Sequence, residues 1–136
     1  MPLIRELDRV ECEQLLRGGS FGRFVLTTPR GADVLPVNYA VHDGAVVAHT
    51  SPSGLLATHA DGAEVLFEVD EVDHEYWTGW SVVARGRAAV TTAEDDHADD
   101  DTGCWRRPRP WAAGDRTCEV RLAWTELTRR WVGGAR

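Results

Sequence analysis

The residues that could do chemistry fall in separate stretches of the chain. In His49-Thr50-Ser51-Pro52-Ser53 an imidazole is followed by three hydroxyls, just ahead of Leu55 to Ala60, a segment with the composition of a short helix. Imidazole titrates near neutral pH, which makes His49 the candidate acid or base. Hydroxyls, together with the unsatisfied N–H groups that open a helix, are donors suited to an anion. His59 lies at the far side of that segment and reads as a partly exposed histidine without a task. His42, in a turn, and His97, in an acidic run, read as surface residues. Further on, Tyr76-Trp77-Thr78-Gly79-Trp80-Ser81-Val82-Val83-Ala84-Arg85-Gly86-Arg87 combines indoles, a hydroxyl and two arginines around an apolar centre. Trp80 and Ser81 suit either the edge of a flat ligand or ordinary strand packing. Arg85 and Arg87 alternate with small residues, so they share a face, where surplus carboxylates can pair with them. Trp111, stiffened by Pro110, suits a pocket wall or a rigid plug.

Other chemistry is excluded by composition. All 15 basic residues are arginine, so a Schiff-base lysine, lysine-bound pyridoxal phosphate and a P-loop are ruled out. Cys12, Cys104 and Cys118 match no C-x-x-C spacing and are odd in number, which suggests neither a disulfide framework nor a zinc site. The run Glu94 to Asp101 is dense in carboxylates but lacks the glycine and closing glutamate of a calcium loop, and like charges in a block stay solvated. A formal charge of -7 argues against nucleic acid, which needs a concentrated basic face. No apolar run approaches the ~20 residues of a membrane span, and Met1 to Glu6 has no signal-peptide core. The expectation is a cytoplasmic protein with neither a nucleic-acid nor a membrane partner.

These residues must be positioned by short elements. Asp8-Arg9-Val10-Glu11 has capping-box spacing, and Cys12, Leu15 and Leu16 give the apolar face of a helix that Gly18-Gly19 ends. Strand patterns follow at Phe21 to Thr27, Val34 to Val41 and Ala45 to Thr50, a three-stranded meander turned by Pro29-Arg30-Gly31 and His42-Asp43-Gly44. Pro36 within the second strand implies an edge or a bulge. After the short helix come Ala63 to Val69, an acidic connection over Glu71 to Glu75, and the tryptophan-rich stretch running to about Val90. Two last strands, Cys118 to Ala123 and Thr128 to Val132, are joined by a turn through Trp124 to Leu127. At 136 residues this is one domain, mainly β (α+β): a six- to seven-stranded antiparallel split β-barrel with an N-terminal helix and a short mid-chain helix.

Several segments in series carry a resemblance: Leu35-Pro36-Val37-Asn38-Tyr39, Thr50-Ser51-Pro52, Phe67-Glu68-Val69-Asp70, Thr78-Gly79-Trp80-Ser81-Val82-Val83 with Arg85-Gly86, and Arg109-Pro110-Trp111-Ala112. In this order the chain resembles the FMN-binding split-barrel family that includes the pyridoxamine 5'-phosphate oxidases, in particular its small actinobacterial-type members. The resemblance implies a homodimer with a small-molecule site at the subunit interface. It implies a flavin mononucleotide whose ring lies against Pro36, Val37, Asn38 and Tyr39 and against Trp80 and Ser81, with Trp111 as a wall. The phosphate would be held near His49, Thr50, Ser51 and Ser53. Relatives usually place a basic residue at the start of the short helix; this chain has Gly54-Leu55-Leu56-Ala57.

The leading expectation is therefore an FMN-dependent oxidoreductase acting on a small organic substrate. The alternative is a flavin-free barrel that binds a hydrophobic metabolite or uses His49 in a cofactor-independent acid–base step. Deazaflavin and haem are the other cofactors the barrel can host. Oxidation of pyridoxamine phosphate itself is disfavoured, because cofactor and substrate would both bring phosphates and no second basic cluster is evident.

Overall fold

A computed structural model describes the backbone of residues 4–92 and 118–133 and the side chains of residues 9–92 and 118–131. The elements are α1 (Ile4–Gly18), β1 (Phe21–Thr28), β2 (Gly31–Asn38), β3 (Ala40–His42), β4 (Ala45–Thr50), α2 (Leu55–His59), β5 (Glu64–Asp73), β6 (Thr78–Thr92) and β7 (Cys118–Gly133). The strands form one antiparallel sheet in the order β2-β1-β5-β6-β7-β4-β3. Its two outermost strands, β2 and β3, are separated in sequence by Tyr39 alone. The edges of the sheet must therefore meet, and β2 does touch β4. This covalent junction curls the sheet into the expected split barrel.

The inward residues alternate along each strand, as the pleat requires. Phe24 and Leu26 of β1, Val65, Phe67 and Val69 of β5, Val82 and Ala84 of β6, Val46 and Ala48 of β4, and Val120 and Leu122 of β7 are all buried in one cluster. Helix α1 adds Cys12 and Leu16 to it, and α2 adds Leu56. Phe67 is the hub, meeting Phe24 edge-on at 4.9 Å between centroids and Tyr39 at 4.7 Å.

The boundaries depart from the sequence reading in informative places. Helix α1 begins at Ile4 and runs through Asp8, so the Asp8 capping box does not start it. The Gly18-Gly19 stop holds, with the Gly19 N–H donating to the Leu16 carbonyl at 3.4 Å. The expected strand Val34 to Val41 is two strands. At Tyr39 the chain leaves β1 for β4, and the Tyr39 N–H goes instead to the Ser20 carbonyl at 3.1 Å. The expected meander is thus two hairpins at opposite ends of the sheet order. Pro36 does lie on an edge strand, since β2 pairs with β1 alone.

The acidic connection is shorter than expected. Glu71, Val72 and Asp73 belong to β5, opposite Trp80, Gly79 and Thr78. Tyr76 and Trp77 lie in the following turn, where Asp73 Oδ1 accepts from the N–H groups of Glu75 (2.9 Å) and Tyr76 (3.2 Å), and Trp77 has a left-handed φ of 55°. The last two expected strands are one continuous strand, β7, with a register irregularity at Arg85/Gly86 rather than a turn. At that point Gly86 lets β7 approach: a Cβ there would lie 2.3 Å from the Ala123 carbonyl oxygen.

Candidate functional site

The outer face of the barrel arranges side chains in rows set by register. Pro36, Arg23, Glu68 and Val83 occupy one row across β2, β1, β5 and β6. The next row holds Asn38 opposite Phe21 and, further across, Asp70 opposite Ser81. Arg23 donates to Glu68 and reaches Asp70 Oδ2 at 3.4 Å. Burial raises the Glu68 pKa, and the hydrogen bond and charge of Asp70 raise it further, against the opposing pull of Arg23. Of the expected ligand residues, Pro36, Asn38 and Ser81 thus share this outer face. About three strand spacings, roughly 14 Å, separate Asn38 from Ser81.

At the barrel's seam Ala40 pairs with Val47, while Asn38, two residues earlier, closes β2 and donates from Nδ2 to the Ser20 carbonyl at 3.4 Å; β2 also touches β4, the strand that carries His49. His49 Nε2 lies 3.7 Å from Glu119 Oε1, whose other oxygen lies 3.9 Å from Arg121 Nε. Arg121 in turn donates to the His42 carbonyl at 3.3 Å. Glu119 is a site candidate the sequence reading missed. Its strand was visible, but only the pairing of β4 with β7, which sets His49 opposite Glu119, brings the two together.

Beyond His49 the backbone turns into α2. Ser51 Oγ and Ser53 Oγ are 3.2 Å apart, and the Gly54 N–H already donates to the Ser51 carbonyl at 3.0 Å. Thr50 is buried, while Ser51 and Ser53 stay open to solvent. Gly54, the N-cap of α2, makes no side-chain cap, and Leu56 is turned into the core. Among the described residues, Gly54 to Ala57 at the head of α2 supply no cation.

Other expected residues are placed elsewhere. Tyr39 is a core residue: its hydroxyl is buried and donates to the Leu16 carbonyl at 2.5 Å, and burial holds its pKa well above the ordinary phenol value. Its side chain is not presented to a ligand on the outer face. Val37 packs against the core. Trp80 and Ser81, expected side by side against one ligand, point to opposite faces because neighbours on a strand alternate. Trp80 instead lines a cleft of ≈ 500 Å³ at the end of β5, β6 and β7, together with Trp131, Glu71 and Asp73. Arg85 lies 3.7 Å from Glu126, and Arg87 donates to the Gly62 carbonyl at 2.5 Å, so both arginines serve the sheet itself. Trp111, Cys104, the segment Arg106 to Trp111 and the acidic run Glu94 to Asp101 lie outside the described residues. Among the described residues no three His, Cys, Asp or Glu side chains converge as metal ligands, and no helix is long and apolar enough to cross a membrane.

The sequence model of the pyridoxamine 5'-phosphate oxidase family matches residues 8–131, which includes both the outer-face rows and the seam. The chain belongs to this pyridoxamine 5'-phosphate oxidase family. An FAD-binding protein of Mycobacterium smegmatis is similar in structure, with 31% identity and a TM-score of 0.70 over 90% of this chain and 93% of that one. A conserved protein of unknown function from Corynebacterium diphtheriae gives 27% identity and a TM-score of 0.68 over 92% and 94% of the two chains. An uncharacterized Mycobacterium tuberculosis protein is 40% identical over 88 residues, which span 61% of this chain and 58% of that relative. Within the pyridoxamine 5'-phosphate oxidase family, the outer face and the seam are thus the surfaces of this chain to test first.

Proposed function

We propose that this chain binds a flavin between two copies of itself and passes electrons from a reduced nicotinamide or deazaflavin donor to a small organic acceptor. The observation that carries the reading is the likeness to the FAD-binding protein of Mycobacterium smegmatis along nearly the whole of both chains. The residues present fit the ring portion of such a cofactor. Pro36 offers an apolar edge, and Asn38 and Ser81 offer neutral donors and acceptors on the same outer face. Asn38 and His49 lie on β2 and β4, which touch at the seam, but Ser81 lies across the face from them; for one flavin to touch all three, a second copy would have to bring its own Ser81 to the first chain's seam.

A bound flavin supplies the two-electron chemistry. The chain's own residues orient and exclude. Asn38 would hold the ring edge, Ser51 and Ser53 would donate to phosphate oxygens, and His49, with Glu119 3.7 Å from its Nε2, would stand beside the ligand. Gly54 to Ala57 at the head of α2 supply no cation, so a phosphate there would receive no charge-assisted hydrogen bond from them, a contribution of about 1.5–3 kcal/mol. That same observation favours the second reading, a flavin-free barrel in which the seam binds a metabolite directly.

The visible absorption spectrum of the purified protein, followed by titration with FMN and with FAD, separates the two readings. Flavin bands, or saturable uptake of either nucleotide, are expected. A colourless protein that ignores both would overturn the first reading and leave the second, while a Soret band would redirect the assignment to a haem-binding barrel.

A further inference from the structure

We propose that the cleft at the tryptophan end of β5, β6 and β7 is a second binding site, for a small, weakly hydrated organic cation such as an alkylated ammonium. The register builds it. Glu71, Trp80 and Trp131 are direct neighbours across three strands, so their side chains stand on one face as a carboxylate beside two indoles. One row further out, Asp73 stands opposite Thr78 on the same face. The Asp73 carboxylate is held in orientation by the N–H groups of Glu75 and Tyr76, both on Oδ1.

The ligand's class follows from this lining. The volume of ≈ 500 Å³ is that of a small-molecule cleft. Two carboxylates, Glu71 and Asp73, stand against the single imidazole of His74, and no arginine lines the cleft, so the lining favours a cation over an anion. A neutral apolar guest would cover carboxylates without pairing them, which is costly. Indole faces attract cations that shed water easily, and Trp131 already shows this behaviour, with the Arg129 guanidinium 5.3 Å from its ring centroid. Arg129 also donates to Glu11 of α1, which ties that cation to the helix side of the ring. Trp131 is otherwise 62% exposed, and Trp80 is half-buried behind it. A compact metal ion is a poorer match, because no cluster of three ligating side chains exists among the described residues.

This site stands apart from the flavin reading, and its test needs no flavin. Choline and 3,3-dimethylbutan-1-ol have nearly the same shape and differ in charge. Binding of each to the full chain is followed by calorimetry and by the indole N–H resonances, with Trp80→Phe and Trp131→Phe identifying the two signals. Choline is expected to bind more tightly than the alcohol by roughly 2- to 30-fold, the range that cation–π attraction supplies. It should shift the Trp80 and Trp131 signals first and weaken as salt is added. Glu71→Gln should lower choline affinity severalfold, whereas Glu75→Gln, outside the lining, should not. Equal affinity for the two probes, shifts centred on other indoles, no binding of choline at millimolar concentration, or unchanged affinity in Glu71→Gln would each overturn the proposal. The comparison of probes on the unaltered chain stands even if a tryptophan variant folds poorly.

Discussion

Tyr39 shows how one side chain can settle a local structure. It occupies the single position between the two edge strands, its ring packs against Phe67, and its hydroxyl donates to the last turn of α1 through the Leu16 carbonyl at 2.5 Å. It therefore ties together the helix, the barrel junction and the core. Removing the hydroxyl in Tyr39→Phe leaves the Leu16 carbonyl with only the longer bond from the Gly19 N–H, at 3.4 Å, and should cost about 0.5–1.5 kcal/mol, read from chemical denaturation. The pH dependence has a definite sign. Burial raises the pKa of folded Tyr39 above the ordinary 10.0, so below that value both states are protonated and stability is flat. Above it the unfolded chain loses the proton first, and stability falls with rising pH by at most about 1.4 kcal/mol per unit. Tyr39→Phe should remove this residue's share of the alkaline loss; an unchanged slope above pH 10 would show that Tyr39 ionises freely in the fold. His49 is a looser arrangement: its side chain is only 15% exposed, and its neighbour Glu119 is 3.7 Å away, beyond hydrogen-bond length.

At the scale of elements, the long ribbon of β6 and β7 carries the sheet, because β7 pairs with β6 along its whole length and with β4 along its first part. Such a strand must bend, and the irregularity between Arg85 and Gly86 is where it does so. Gly86→Ala would push a methyl to 2.3 Å from the Ala123 carbonyl oxygen, which is backbone and cannot swing aside. A loss of about 1–3 kcal/mol or more is expected in denaturant melts, whereas Gly18→Ala, with nothing within 4 Å, should be neutral or slightly stabilising. This bend also explains what the sequence hid. Trp124 to Leu127 interrupts the apolar alternation of a strand and so looks like a turn, yet the interruption is a bulge in which Thr125 is skipped while Trp124, Glu126 and Leu127 stay paired with β6. Elements defined by side-chain period and turn residues were legible. Asp43-Gly44, after His42, is a two-residue hairpin loop with left-handed φ at both positions, and Ala45 to Thr50 is a strand as expected. Features set by strand partners were not. The break at Tyr39 changes partner without changing composition, and the start of α1 upstream of Asp8 overrides a local capping pattern. For the same reason Pro36, Asn38 and Ser81 could be singled out but not assigned to a common face, Trp80 could not be sent to the opposite one, and Glu119 could not be placed beside His49.

For the whole molecule, the closed sheet fixes which surfaces a ligand can join. The seam holds Asn38 and His49, the outer face holds Ser81 across two intervening strands, and the rigid barrel cannot fold one onto the other. If a flavin uses both, it must do so between two copies, and binding and association become linked. A ligand that binds the dimer stabilises it by mass action, and by reciprocity the dimer binds the ligand more tightly than the monomer does. Sedimentation velocity across a dilution series should therefore show the dimer persisting to lower protein concentration when FMN or FAD is present. Flavin affinity measured by fluorescence quenching should in turn weaken as the protein is diluted below its dimer dissociation constant. The tryptophan-end cleft provides an internal control, because Glu71, Trp80 and Trp131 come from one chain and its affinity for choline has no reason to follow dilution. Flavin affinity that is equally indifferent to protein concentration, across a range in which the oligomer demonstrably dissociates, would place the flavin within a single chain. In that event Ser81 drops out of the site, and the seam at Asn38, His49, Ser51 and Ser53 has to hold the cofactor alone.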